Sequence, residues 1–116
     1  MLSPLELMKL CVAALDSKNA KEITVLKTED LTVLANYFVI CTATSATHIK
    51  TLADELERLL EESGEMPRRK EGYRAGGWVL VDYGCVIVHL FLEDIRQFYS
   101  LERLWGDAEE VEISLK

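Results

Sequence analysis

The chain has 116 residues, the size of one domain. At that length roughly two-thirds of the unfolded surface becomes buried, enough for one core without disulfide or metal staples. Hydrophobic residues make up 49% and charged residues 28%, which excludes a wholly disordered chain. Thirteen Lys and Arg against twenty Asp and Glu leave a formal charge of −7. That balance argues against holding nucleic acid by charge alone, because phosphate binding depends on cationic side chains. It suits a soluble protein with a basic protein partner.

The opening MLSPLELMKL has no basic n-region and no small-residue cleavage site, so it does not read as a signal peptide. No apolar run approaches the ~18 residues of a membrane span, and a cytoplasmic location is expected, with no membrane partner. Ser3-Pro4-Leu5-Glu6 is a capping-box signal with proline at the first helical position. Leu5, Met8, Val12 and Leu15 then give one apolar stripe, and the helix should end near Asp16–Asn19. Ile23-Thr24-Val25-Leu26 reads as a short strand, and Asp30 can cap a brief helical turn through Leu31–Ala35. Tyr37–Thr42 is aromatic and β-branched with no polar face, the pattern of a central strand covered on both sides.

Ser45 precedes the clearest helix. Ile49, Leu52, Ala53, Leu56, Leu59 and Leu60 form its apolar face, and Lys50, Asp54, Glu55, Glu57, Arg58, Glu61 and Glu62 the opposite one. Gly64 is a natural stop, with Pro67 just beyond. Arg68-Arg69-Lys70 and Arg74 form a basic cluster among Gly72, Gly76 and Gly77. A phosphate-cradling loop wants such glycines at the opening of a helix; here they open a strand, so a solvated edge strand or loop is the expectation, with a minor RNA contact as the lesser reading.

Trp78–Tyr83 and Val86–Leu92 are the strongest strand pair, separated only by Gly84-Cys85. A Gly-X loop fits a type II′ hairpin turn and sets Tyr83 opposite Val86, Val81 opposite Val88, Leu80 opposite His89 and Trp78 opposite Phe91. Alternation then separates two faces. Val79, Val81, Tyr83, Val86, Val88, Leu90 and Leu92 must be core. Trp78, Leu80, Asp82, Ile87, His89 and Phe91 make a mixed face, with two aromatics, two aliphatics, a carboxylate and an imidazole. Either this face meets another protein through aromatic anchors with polar groups fixing register, or a helix covers it and satisfies Asp82 and His89. Beyond the hairpin, Glu93–Tyr99 and Leu101–Trp105 read as a helical segment broken at Ser100 and stopped by Gly106, before an acidic run at 107–110.

Catalytic chemistry finds little support. Cys11, Cys41 and Cys85 are odd in number, contain no C-x-x-C, and read as small core residues in a reducing compartment. His48 and His89 lack zinc-ligand spacing to any cysteine. No G-x-S-x-G marks a nucleophile. No D-x-D or D-x-E lies on a predicted strand, and Asp82 is the only carboxylate within the hairpin strands, too few for a metal pair. The residues therefore suggest a binding module, with no metal and no cofactor, rather than an enzyme.

Several segments standing in order carry a resemblance. They are Asn36-Tyr37-Phe38-Val39-Ile40-Cys41-Thr42-Ala43, the helix with Ala53-Asp54, Gly77-Trp78-Val79-Leu80-Val81-Asp82-Tyr83-Gly84, Val86-Ile87-Val88-His89-Leu90-Phe91, and Tyr99-Ser100-Leu101-Glu102-Arg103-Leu104-Trp105-Gly106-Asp107-Ala108. Over nearly the whole chain this resembles the ribosomal silencing factor family, also called the Iojap family. The resemblance implies a small α/β domain with a mixed sheet packed with helices, nucleotidyltransferase-like without the catalytic carboxylates. It implies binding to the large ribosomal subunit through ribosomal protein L-fourteen, a steric block to subunit joining, and lowered translation when nutrients are scarce; mitochondrial and plastid relatives are tied to large-subunit assembly. Carried over position by position, the partner-binding residues are Trp78, Leu80, Asp82, His89, Tyr99, Glu102 and Trp105. Trp78 and Leu80 would be apolar anchors and Asp82 would meet a basic or hydrogen-bonding group. His89, Tyr99, Glu102 and Trp105 serve either the partner or the packing of the last helix.

Three departures from the family pattern stand out: Asn36 and Cys85 where acids are usual, and Thr47-His48 where an Arg commonly comes first. The lost Arg puts in doubt a role at the start of that helix, and the lost acids weaken a catalytic reading. The alternative function is a nucleotide-handling enzyme of nucleotidyltransferase type, suggested by the implied fold and the Arg68–Arg74 cluster. The mixed face can also pair with a second copy, giving a homodimer when no ribosome is present.

Overall fold

The computed structural model describes residues 2–28, 35–72, 77–99 and 109–111, the side chains at 97–99 and 109 excepted. Helix α1 spans Pro4–Ser17 and opens with the expected capping box: Ser3 Oγ accepts from Glu6 N–H at 3.1 Å and Glu6 Oε1 accepts from Ser3 N–H at 3.0 Å. It closes with Asn19 at φ 65°, where Ala20 N–H reaches back to the Leu15 carbonyl and Asn19 N–H to that of Asp16. This is a left-handed C-terminal motif in which asparagine takes the usual glycine position. The buried arc differs from the expected stripe. Leu7, Met8, Cys11, Val12, Ala14 and Leu15 are buried, whereas Leu5 is 44% exposed. The reason is tertiary: α1 packs against both the sheet and the second helix, so two flanks are covered and the first turn overhangs.

Strand β1 (Lys21–Lys27) runs longer than its β-branched centre suggested. Strand β2 (Tyr37–Ala43) is buried along almost its whole length, as its composition required. Helix α2 (Ala46–Glu62) is capped by Ser45, whose hydroxyl accepts from His48 N–H at 3.1 Å. It ends in a Schellman motif at Gly64 (φ 82°), with Glu65 N–H on the Leu60 carbonyl and Gly64 N–H on that of Glu61. The basic cluster supplies β3 (Arg69–Glu71), a short, exposed edge strand. It is blunted by ion pairs, Lys70 to Glu57 at 2.7 Å and Arg69 to Glu71 at 3.0 Å. Strands β4 (Trp78–Asp82) and β5 (Val86–Leu92) form the hairpin, followed by α3 (Glu93–Tyr99) and a short β6 (Glu109–Val111). The expected turn at 31–35, its last residue Ala35 excepted, and the second helical piece at 101–105 lie outside the described residues.

The six strands are ordered β3-β4-β5-β2-β1-β6. Only β2 and β5 pair in parallel, and every other neighbouring pair is antiparallel. This is the mixed sheet of a single α/β domain. The hairpin register is the expected one, Trp78 opposite Phe91 through Asp82 opposite Ile87. Its turn is tighter than a type II′ turn. Cys85 N–H closes on the Tyr83 carbonyl at 3.2 Å about Gly84 (φ 88°), a γ-type closure that needs the positive φ glycine provides.

Helices α1 and α2 lie together on one sheet face. Their apolar sides meet Val25, Val39, Cys41, Val79, Val81, Tyr83, Val86, Val88 and Leu90, the main core. That confirms the aliphatic hairpin face as core, with Leu92 only partly buried at its end.

Candidate interaction face

Strand pairing makes the second face a grid of three rows. The first runs Trp78–Phe91–Thr42 and the second Glu71–Leu80–His89–Ile40–Thr24. The third runs Arg69–Asp82–Ile87–Phe38–Leu26. Period-two alternation puts these side chains on one side of the sheet, and the register decides their neighbours. The centre is apolar and aromatic; the β3 end of each long row is polar, Glu71 in one and Arg69 in the other, and the β1 end is Thr24 in one and the buried Leu26 in the other. Leu26, Ala35, Phe38, Ile40, Ile87 and Phe91 form a second buried cluster, against which Trp78, Leu80 and Ile95 of α3 pack while only partly buried.

Trp78 stands over this bed. Its indole lies 5.0 Å from the Phe91 ring, tilted 31°, and its Nε1–H donates to His89 Nδ1 at 3.2 Å. His89 in turn stacks parallel to Phe91, the rings 6.0 Å apart and 7° from coplanar, with Phe38 at 5.1 Å on another side. Burial pushes the His89 pKa down to about 4, so the ring is neutral.

The expected site residues separate into distinct roles. Trp78 and Leu80 are half-buried neighbours on the face, each keeping a part open to solvent. Asp82 is also half-buried, but its carboxylate is engaged: Oδ1 accepts from Gly84 N–H at 2.7 Å and Oδ2 lies 3.8 Å from Arg69. It holds the hairpin turn and the edge strand while its rim stays accessible. His89 is only 4% exposed and lies beneath Trp78, to which it is hydrogen-bonded. Tyr99 ends α3, its side chain outside the described residues, as are Glu102 and Trp105. Of a covering helix, α3 reaches this face through Ile95, while Asp82 and His89 find their partners within the hairpin and β3.

Sequence reasoning missed Arg96. The residue is 9% exposed, and its guanidinium donates to the Glu22 carbonyl at 2.7 Å, Thr42 Oγ1 at 2.8 Å and Thr24 Oγ1 at 3.1 Å. It ties α3 to β1 and β2 beside the bulge where Glu22 takes φ 47° and the register shifts between Lys21 and Thr24. An isolated arginine in a short helix gave no sign of this, since all three acceptors come from distant strands. Next to it, Lys21, Glu22, Thr42, Ala43, Thr44, Leu92, Glu93 and Asp94 line an open cleft at the ends of β2 and β5. Among the described residues no three His, Cys, Asp or Glu side chains gather as metal ligands.

Comparison with known proteins places this architecture. The family model described as "Ribosomal silencing factor during starvation" matches residues 2–116. The chain belongs to the ribosomal silencing factor family. It is 41% identical over 108 residues to the ribosomal silencing factor of Halalkalibacterium halodurans, covering 93% of this chain and 92% of that one. It is 40% identical over 102 residues to that of Bacillus subtilis, covering 88% and 86%. A mouse protein named for mitochondrial assembly of the ribosomal large subunit is 32% identical over 97 residues, which span 81% of this chain and 42% of that longer protein. A crystal structure from Chromobacterium violaceum superposes with a TM-score of 0.89 at 34% identity, covering 99% of this chain and 95% of that one. That membership agrees with the family pattern read along β2, β4 and β5.

Proposed function

We propose that this protein seats the Trp78–Leu80 side of its sheet on the large ribosomal subunit, against ribosomal protein L-fourteen, and keeps the small subunit from joining. Translation is thereby lowered under nutrient limitation. The observation that carries this reading is the pairing of Trp78 and Leu80: two large apolar side chains, partly open, over a bed in which Phe91 is 1% and Ile40 0% exposed. Rigid apolar anchors over a close-packed bed lose little conformational entropy on binding, so a few of them can dominate affinity. The polar margin of Glu71, Arg69 and Asp82 supplies register. The net charge of −7 favours a basic ribosomal protein over ribosomal RNA, leaving the exposed β3 cations at most a minor RNA contact. The mechanism is exclusion: a small interface blocks a larger one by occupying part of it. The working compartment is then the cytoplasm, and without ribosomes the same face is open to a second copy.

Sucrose-gradient sedimentation with separated subunits tests the proposal. The protein should travel with large subunits only, and adding it first should prevent their joining to small subunits. Trp78→Ala should abolish co-sedimentation with the fold intact. Asp82→Asn, which keeps the acceptor for Gly84 N–H but removes the charge, should weaken it. Wild-type binding by Trp78→Ala would refute the face. Light scattering across concentrations reads self-association. A melting temperature unmoved by ATP or CTP with magnesium is the expected result against a nucleotide-handling role.

A further inference from the structure

We infer that His89 is a positioning residue for Trp78: as a neutral Nε2–H tautomer beneath the face, it accepts the indole N–H and fixes the orientation in which Trp78 is presented. The inference rests on the reading of Trp78 as an anchor. The geometry has three parts. Trp78 Nε1–H can only donate, so His89 Nδ1 at 3.2 Å must be the acceptor. A neutral ring with Nδ1 accepting carries its proton on Nε2, and that buried Nε2 has no hydrogen-bond partner among the described residues. A buried donor left unpaired opposes folding, and an apolar residue would fill the centre of this aromatic cluster without that penalty. What an apolar residue would not provide is an acceptor for the indole. Phe91, stacked on His89 and packed against Trp78, holds the imidazole plane so that the acceptor points at Nε1. Without it, a half-buried indole with an unpaired N–H would turn toward water, and the anchor would lose its fixed pose.

The tautomer is read directly on the wild-type protein by long-range nitrogen–proton correlation NMR, which should show Nδ1 unprotonated, Nε2 protonated, and a hydrogen-bonded Trp78 indole proton. A protonated Nδ1 overturns the inference. Two variants extend the test: emission is read in a Trp105→Phe background, so that fluorescence reports Trp78 alone, and large-subunit binding is read with Trp105 in place. His89→Asn keeps an acceptor near the Nδ1 position and should retain the emission maximum of the Trp105→Phe protein and the large-subunit binding of wild type. His89→Leu removes it and should shift the emission to the red and weaken co-sedimentation at least tenfold. In Trp78→Phe, which has no N–H to place, adding His89→Leu should weaken binding no further. Unshifted emission in His89→Leu, or fully additive losses in the double variant, would overturn the positioning role. If Trp78→Ala instead binds like wild type, the docking face is wrong, while the tautomer and emission results still decide whether His89 holds Trp78.

Discussion

Acidification should destabilise this protein through His89 in a window that can be worked out from its burial. The imidazole is 4% exposed, and burial lowers its pKa from 6.5 to about 4. The unfolded chain therefore takes up a proton between those values that the folded chain refuses. Stability from this group is complete above about pH 6.5, falls by about 1.4 kcal/mol per pH unit below it, and levels off below about pH 4. By pH 5 the loss reaches about 2 kcal/mol, a substantial part of the about 5–15 kcal/mol that holds a domain together. The charged groups on that face, Asp82 on β4, Arg69 and Glu71 on β3 and Arg96 on α3, sit at its margins, and His89 hydrogen-bonds to Trp78 instead. Urea denaturation of wild type and His89→Asn at pH 7, 6 and 5 isolates the effect, because carboxylate titration is common to both. The stability difference in favour of wild type should shrink by about 2 kcal/mol between pH 7 and pH 5. A difference that stays constant, or grows as the pH falls, would show that His89 is not held neutral by burial.

Other consequences can be checked separately. At Gly72 (φ 79°) an added Cβ would lie 2.0 Å from the Trp78 carbonyl oxygen, so Gly72→Ala should cost about 1–3 kcal/mol and displace β3 from β4, read by thermal melting and amide exchange at 69–71. Arg96→Met keeps the stem but leaves Thr42 Oγ1 and the Glu22 carbonyl without their donor, and should cost about 3 kcal/mol; a neutral melting temperature would refute the tie between α3 and β1. Burial pushes the Cys41 thiol up to about 12 and raises Cys11 as well, while Cys85 is only partly buried. An alkylating reagent at neutral pH should thus modify Cys85 first in the native protein, as peptide mapping would show, and equal labelling of all three would contradict the packing.

Much of the molecule was legible before any coordinates. Ser3-Pro4-Leu5-Glu6 and Gly64 set helix ends because capping is local chemistry. Gly84 with its flanking alternation fixed the hairpin register, and the register alone placed Trp78, Leu80, Asp82 and His89 on one face. Other features were not legible. Which of those four reaches solvent depends on α3 and on the parallel partner β2, which puts Phe38 and Ile40 beside the hairpin from forty-odd residues away. The exposure of Leu5, the burial of Arg96 and the engagement of Asp82 by Arg69 are likewise products of elements meeting. Periodicity reports which side of an element a residue occupies, because backbone geometry repeats every few residues. It does not report what stands opposite, because burial and hydrogen bonding are completed by groups that only the folded chain brings within a few ångströms. Here that difference separates an anchor, Trp78, from the residue beneath it, His89.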